Sequence, residues 1–176
     1  GLCMADPARH ICLMGNHERM MLAFLAAPAG RAKRWLSAGG IETLASFGIN
    51  GRMQPGGQSQ QLLRLAEALH LAIPPAQLAW LRQLPLFWQS EGLAVVHASA
   101  APDLPMAAQP ETALLWRHHK PAPRRDGLWI AHGHVITAEA QIENGVINVD
   151  TGAWRSGRLS AVWLDANGAS VLQVVA

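Results

Sequence analysis

The stretch ICLMGNHERM, from Ile11 to Met20, joins an apolar run to polar side chains that can carry chemistry. ICLM has the composition of a buried strand, and ERMMLAFLAA after Asn16 and His17 is apolar enough for a packed helix. Sites of α/β proteins form in the loops that follow the carboxyl ends of strands. This stretch therefore predicts a strand that delivers an amide and an imidazole to the edge of such a site.

Outward from this stretch, helical patterns fill the N-terminal half and strand patterns fill the C-terminal half. Helices are predicted for RAKRWLSAGG, IETLASFGI, QLLRLAEALHLAI and PPAQLAWLRQLP, and strands for GLAVVHASAAP, GLWIAHGHV, GVINVDTGAW, GRLSAVWLD and SVLQVV. The pattern predicts an α/β protein whose later strands are antiparallel, with the helical half on one face of the sheets. We expect one domain, residues 1–176, with a helical stretch at about 19–85 and a strand-rich part at about 86–176.

Composition excludes several classes of function. Half of the 176 residues are apolar, and the net charge is +2, from 14 basic and 12 acidic residues without a long basic run. Neither nucleic acid nor a membrane is therefore an expected partner, and no signal-peptide pattern is present. Cys3 and Cys12 lack the CxxC spacing and read as reduced thiols, which predicts a cytoplasmic protein. The tryptophans Trp35, Trp80, Trp129 and Trp163 are expected in the core.

Three apolar runs end in nitrogen or oxygen ligands: Asn16 and His17, then His97, then His132 and His134. A single histidine after a strand is usually a structural hydrogen-bonding group, so each one alone predicts little. Their shared setting, beside small residues at the end of an apolar run, favours a metal site, because imidazole and amide groups bind borderline transition metals.

Four blocks resemble the calcineurin-like metallophosphoesterases, in the branch of bacterial serine/threonine protein phosphatases and diadenosine tetraphosphatases. LMGNHERMM is similar to the GNHE block of that family, LAVVHASAAP to its VHAG-x-x-P block and AHGHV to its GHT block. INVDTGAWRSGRLSAV is similar to the DTGA segment that follows. The four blocks occur in the order of the family and span nearly the whole chain.

The resemblance implies a fold, a reaction and a set of site residues. The fold would be an α/β β-sandwich flanked by helices, in α/β/β/α layers. The reaction would be phosphoester hydrolysis with two divalent metal ions, for which Mn is favoured and Fe or Zn would also suit the ligands. Asn16, His97 and His134 would bind the second ion, and His17 would be the general acid.

The resemblance also implies supporting roles for residues around that site. His132 would pack beside the site without a fixed role. Asp150 would stabilise a turn or a ligand, and Glu18 would bind backbone groups at the start of its helix.

Two departures from the family pattern bear on activity. The chain lacks the GD-x-H-G and GD-x-x-D-R-G blocks, which supply the ligands of the first metal, so we expect an N-terminally incomplete domain that is inactive or impaired. The family's W-x-R-E motif is replaced by WRHHK, so that His118 stands where the substrate-binding arginine is expected. Arg117 is the candidate for that role, or else it is a solvated loop residue. Ser99 and Val135 replace a glycine and a threonine of the family blocks, and these changes are expected to be tolerated.

Three hypotheses for the function follow. The first is a serine/threonine protein phosphatase, whose substrate is a phosphorylated protein or a small phosphoester. The second is a hydrolase of dinucleoside polyphosphates such as diadenosine tetraphosphate. The third is a non-catalytic remnant of such an enzyme, which binds at most one metal ion weakly.

Overall fold

The computed structural model describes residues 2–52, 58–116, 122–165 and 168–175. The chain divides into two compact units, Gly1–Asp6 with Met14–Leu84 and Pro7–Leu13 with Pro85–Ala176. The described part of the first unit is helical, and the described strands all belong to the second. The predicted mixed α/β class is thereby confirmed.

Six helices form the first unit in the described ranges: α1 (Leu2–Ala5), α2 (Asn16–Ala26), α3 (Pro28–Trp35), α4 (Ile41–Ser46), α5 (Gln58–Ala72) and α6 (Pro75–Arg82). Proline opens α3 and α6, where its missing N–H would have no intrahelical acceptor. Phe24 of α2 and Trp35 of α3 are fully buried, and their rings stack with centroids 4.7 Å apart. This aromatic pair is the centre of the helical core.

A sharp turn, Leu36–Gly40, separates α3 from α4. Gly39 has a φ of +90°, a conformation that residues with a Cβ rarely adopt. A Cβ on Gly40 would lie 2.7 Å from the carbonyl oxygen of Trp35, which is closer than any real side chain approaches. The helix predicted over RAKRWLSAGG thus ends before its two glycines, which permit the left-handed backbone and the close packing of this turn.

The second unit contains a sheet of five described strands in the order β1-β2-β3-β5-β4. Its strands are β1 (Phe87–Ser90), β2 (Leu93–Val96), β3 (Trp129–His132), β4 (Gln141–Glu143) and β5 (Val146–Asn148). The prediction that the later strands are antiparallel is wrong for the centre of this sheet, because β2–β3 and β3–β5 are parallel. Between β2 and β3 lie a 3₁₀ turn (Met106–Ala108) and helix α7 (Glu111–Trp116), which provide the long crossover that parallel neighbours require.

The hairpin β4–β5 turns at Asn144 and Gly145, whose φ values are +50° and +74°. These are the left-handed conformations of a two-residue hairpin turn, for which Asn-Gly is the preferred sequence. Strand β4 was not predicted from the sequence, although this dipeptide marks its end.

Two long strands complete the second unit: β6 (Arg158–Asp165), after helix α8 (Ala153–Ser156), and β7 (Gly168–Val175). They pair antiparallel with each other and form a separate two-stranded sheet. The prediction that Trp129 and Trp163 lie in the core is wrong: they are 38% and 60% exposed, because the face that carries Trp163 is open in the described structure.

The prediction of a strand at ICLM is also wrong. Residues 10–15 are in neither a helix nor a strand, and the order of the described sheets does not include them. Extended backbone becomes a strand only when a neighbouring strand completes its hydrogen bonds.

No disulfide is formed by Cys3 or Cys12. Across the described ranges, no helix combines the length and the apolar character needed to cross a membrane.

Candidate metal centre

The parallel pairing of β2 and β3 brings His97 and His134 together. The two strands are in register at Val95 and Ala131, and the N–H of Gly133 donates to the carbonyl oxygen of His97 over 3.0 Å. The carboxyl ends of parallel neighbours lie at the same edge of a sheet. Residues that follow β2 and β3 therefore become neighbours, although His97 and His134 are 37 positions apart.

The two imidazoles face each other at this edge. Nε2 of His97 lies 3.2 Å from Nδ1 of His134, and the ring planes are inclined by 58°. Two ring nitrogens that bind one ion, each about 2.1 Å from it, are roughly 3.0–3.4 Å apart at common bond angles. The separation of this pair therefore suits a shared divalent ion, once the proton between the two nitrogens has left.

The backbone of His134 is in an uncommon conformation, with a φ of +66°. A side chain other than glycine in this region costs on the order of 1 kcal/mol, and such residues concentrate at functional sites. The turn is held by a 2.8 Å hydrogen bond from the N–H of Val135 to the carbonyl oxygen of Gly133. The fold therefore bears strain at the residue that presents the second imidazole.

Polar groups at the end of β5 support the turn that carries His134. The buried side chain of Asn148 donates to the carbonyl oxygen of Val135 over 2.9 Å and accepts the N–H of Asp150 over 3.0 Å. The carboxylate of Asp150 in turn accepts the N–H of Gly152 over 2.9 Å. The predicted turn-stabilising role of Asp150 is confirmed, whereas Asn148 was missed, although a buried asparagine after an apolar strand is a signal for such bracing.

His132 is buried at the end of β3, as predicted, and its Nδ1 lies 2.8 Å from the carbonyl oxygen of Gly133. It lines a cavity of about 500 Å³ together with Thr137 and Asn148. Neither His97 nor His134 lines that cavity.

Asn16 and His17 form the first turn of α2 in the helical unit. Asn16 is buried and His17 is exposed. The carboxylate of Glu18 accepts the N–H of Gly15 over 3.1 Å, which fixes the start of the helix and confirms the predicted role of Glu18. A Cβ on Gly39 would lie 3.7 Å from the ring of His17, an ordinary contact distance, so the glycine turn lies beside that ring.

The loop after His97 is fixed by Arg124, a residue that was not predicted from the sequence to support the site. Its guanidinium is buried and donates to the carbonyl oxygens of Ala101 and Leu104 over 2.8 and 2.9 Å. Nε of Arg124 also donates to Asp126 over 3.0 Å. The side-chain hydrogen bond from Arg124 is the main cause that lowers the pKa of Asp126 from 3.8.

Arg117 and His118, the alternatives for the phosphate-binding position, lie outside the described residues. Among the residues that are described, no three His, Cys, Asp or Glu side chains are grouped to hold a metal ion. Among the described candidate residues, the His97–His134 pair belongs to the second unit, and Asn16 and His17 belong to the helical unit. That these two groups complete one site stays a prediction.

Comparison with known proteins supports the fold. No protein-family model matches the sequence, and no curated protein matches it. The chain is similar to the crystal structure of a putative diadenosine tetraphosphatase, with a TM-score of 0.62 and 18% sequence identity. The similarity covers 97% of this chain and 70% of that chain. At this identity the likeness establishes a shared fold, and the chain adopts the fold of that solved structure over nearly all of its length.

Proposed function

We propose that this chain carries part of the site of a metal-dependent phosphoesterase. The observation that supports this most directly is the 3.2 Å separation of Nε2 of His97 and Nδ1 of His134 at the exits of two parallel strands. In this proposal Asn16 is a further ligand of the same ion, and the complete site holds two divalent ions, with manganese favoured over iron or zinc. We expect the finer architecture to be the α/β/β/α sandwich. We also expect the protein to be located in the cytoplasm.

In this proposal the reaction requires no covalent intermediate with the protein. Two divalent ions, when bound, supply a hydroxide nucleophile at neutral pH and neutralise the phosphoryl oxygens. His17 donates a proton to the leaving oxygen in this scheme, and its exposure on the first turn of α2 leaves the ring accessible to substrate. Arg117 contributes positive charge to the phosphoryl group.

The preferred substrate is a phosphorylated serine or threonine, as the sequence blocks imply. The structural neighbour favours the second candidate, because it is itself described as a putative diadenosine tetraphosphatase. Both reactions break a P–O bond and use the same ligands. We expect the chain as given to bind metal weakly and to turn over slowly, because three ligands without a bridging carboxylate hold one ion loosely.

The test separates metal binding from catalysis. Manganese content is measured after loading and dialysis, and turnover is measured with p-nitrophenyl phosphate, a phosphoserine peptide and diadenosine tetraphosphate. His97→Ala is expected to reduce the affinity for manganese at least about tenfold, whereas His17→Asn keeps the metal and loses about 10²–10⁴ of the rate. His70→Ala is the matched control, because His70 is an exposed histidine in the last turn of α5.

Manganese binding that is unchanged in His97→Ala would contradict the metal assignment. Full turnover by His17→Asn on a substrate with a poor leaving group would contradict only the role of His17 as general acid. The ratio of the rates on the peptide and on the dinucleotide decides between the two substrate classes.

A further inference from the structure

The backbone turn that carries His134 is of a rare kind. The N–H of Val135 donates to the carbonyl oxygen of Gly133 over 2.8 Å, and His134 between them has a φ of +66°. A hydrogen bond that encloses one residue of positive φ is the pattern of a γ-turn in its strained form. Such a turn persists only where the surrounding structure holds it in place.

The side chain of Asn148, at the end of β5, holds this turn. Asn148 is 4% exposed, and its Nδ2 donates to the carbonyl oxygen of Val135 over 2.9 Å. Its Oδ1 accepts the N–H of Asp150 over 3.0 Å, so the other end of the same amide is fixed as well. The amide therefore clamps the residue that directly follows His134.

A backbone bond also ties this segment to the chain after β5, but it acts farther from the imidazole. The N–H of Thr137 donates to the carbonyl oxygen of Asp150 over 2.9 Å. Asn148, Val135 and Thr137 all line the cavity of about 500 Å³ described above. If the amide of Asn148 were removed, the carbonyl group of Val135 would face this cavity, and the turn would have room to relax.

We propose that Asn148 is the positioning residue of the imidazole pair: its amide holds the turn after β3 in the conformation that places His134 opposite His97. A buried side-chain hydrogen bond stabilises a fold by about as much as a backbone of this kind costs, so the loss of this bond is enough to release the turn. A released turn takes a negative φ, which redirects the imidazole away from His97. The consequence for metal affinity rests on the function proposed above, whereas the placement of the two rings does not.

The first experiment observes the ring pair in the metal-free chain. Nε2 of His97 and Nδ1 of His134 are 3.2 Å apart, so one neutral ring donates its N–H to the other. The shared proton should give a downfield NMR signal above the ordinary imidazole pKa of about 6.5. It is assigned as the signal that His97→Ala and His134→Ala both abolish. Wild type should show this signal, and Asn148→Asp and Asn148→Ala should lose it.

The two substitutions at Asn148 remove different parts of the amide. Asn148→Asp keeps the volume and the acceptor for the N–H of Asp150, but it replaces the donor to Val135 with a carboxylate oxygen, which the carbonyl group repels. Asn148→Ala removes both hydrogen bonds. Loss of the ring signal in both variants therefore assigns the effect to the donor that faces Val135.

The second experiment measures the affinity for manganese by titration. Both Asn148 variants are expected to bind at least about tenfold more weakly, as is usual when a group that orients a metal ligand is lost. Thr151→Val is the matched control. Thr151 is also 4% exposed, and its hydroxyl bonds to Arg158 and Ser160, which are outside the turn that carries His134. This variant should lose stability in urea but keep the ring signal and the manganese affinity.

An Asn148→Asp chain that keeps the ring signal would overturn the proposal, whether or not it still binds manganese. Loss of the signal in Thr151→Val would overturn it too, because the effect would then belong to any buried polar group. So would unfolding by both substitutions at Asn148, seen by circular dichroism, because the amide would then hold the whole sheet. A wild-type chain that binds no manganese, yet loses the signal only in the Asn148 variants, would contradict the metal-dependent function and support the positioning role.

Discussion

His134 has a backbone conformation that glycine adopts most readily, and it carries an imidazole, which glycine cannot supply. Its φ of +66° carries a cost, and the imidazole so placed stands 3.2 Å from His97. Asn144 is the other described non-glycine residue with a positive φ, and it lies in a hairpin turn that favours this conformation. The two positions therefore share a backbone state but differ in the reason for it.

At His134 the glycine variant should be more stable than the alanine variant, which is the reverse of the usual order inside helices and strands. His134→Gly is expected to be more stable than His134→Ala by about 1 kcal/mol, because alanine keeps the strain that glycine relieves. Both variants should lose manganese binding. Urea denaturation and metal analysis measure the two effects separately.

Asn144 supplies the matched control for this prediction. Asn144→Gly should likewise be more stable than Asn144→Ala, but metal binding should be that of wild type in both. A His134→Ala variant that equals His134→Gly in stability would contradict the assignment of strain.

At the scale of residues, the side chains that belong to a recognised sequence block were predicted, and the side chains that only support them were missed. His97 and His134 were identified by the blocks that contain them, and the structure places them side by side. Arg124 was missed because its role depends on carbonyl groups of Ala101 and Leu104, which no local pattern connects to it. Side-chain bonds to distant backbone are set by tertiary packing.

At the scale of elements, the turn between α3 and α4 depends on Gly40. Gly40→Ala should cost at least about 1 kcal/mol of unfolding free energy, because its methyl group would collide with the backbone of Trp35. Gly30→Ala within α3 is the control, since no heavy atom lies within 4 Å of the added Cβ. It should stabilise the chain by about 0.5–1 kcal/mol, the helix propensity difference.

Both glycine variants are compared by urea denaturation, with circular dichroism at 222 nm as the signal. Equal stability of the two variants would contradict the close approach of Gly40 to Trp35.

The Arg124–Asp126 pair makes the segment before β3 sensitive to acid. The pKa of Asp126 is lowered in the folded chain, so its contribution to stability is present above the ordinary value of 3.8 and is lost as the pH falls through the lower folded value. Asp126→Asn should therefore lower stability at neutral pH and remove part of the decline below about pH 4.

Urea midpoints at several pH values between about 2 and 7 test this prediction. Asp103→Asn is the control, because Asp103 pairs with Arg125 on the surface, where both side chains are well exposed and the interaction is weak. Identical pH profiles for wild type and Asp126→Asn would refute the contribution of the pair.

Elements with a local signal were predictable, and those that depend on a partner were not. The helices of the first unit follow from their apolar spacing, their opening prolines and their closing glycines. ICLM was predicted as a strand from composition, but pairing decides strands, and the described sheets do not include it. The parallel pairing of β2 with β3 was likewise beyond any local pattern, since it depends on the crossover that contains α7.

At the scale of the whole molecule, stability should be unevenly distributed within the second unit. Strands β2 and β3 lie inside the larger sheet, and Ala94, Val96 and Ile130 from them form its buried core. Strands β6 and β7 have one open face. In dilute solution, amide hydrogens of the hairpin should exchange at least about tenfold faster than those of β3.

Hydrogen–deuterium exchange read by mass spectrometry tests this distribution. Hairpin amides that are as slow as those of β3 in dilute solution would contradict the prediction.

The pairing of β2 with β3 also determines when in folding the histidine pair can form. The Asn-Gly hairpin closes locally, on a scale of about 1–10 µs, whereas joining His97 to His134 requires a chain segment of 37 positions to loop back first. Contacts of such high sequence separation carry the slow part of folding. The two imidazoles can meet only after the crossover has closed, so we expect the histidine pair to be a late product of folding and not a nucleus around which the sheet assembles.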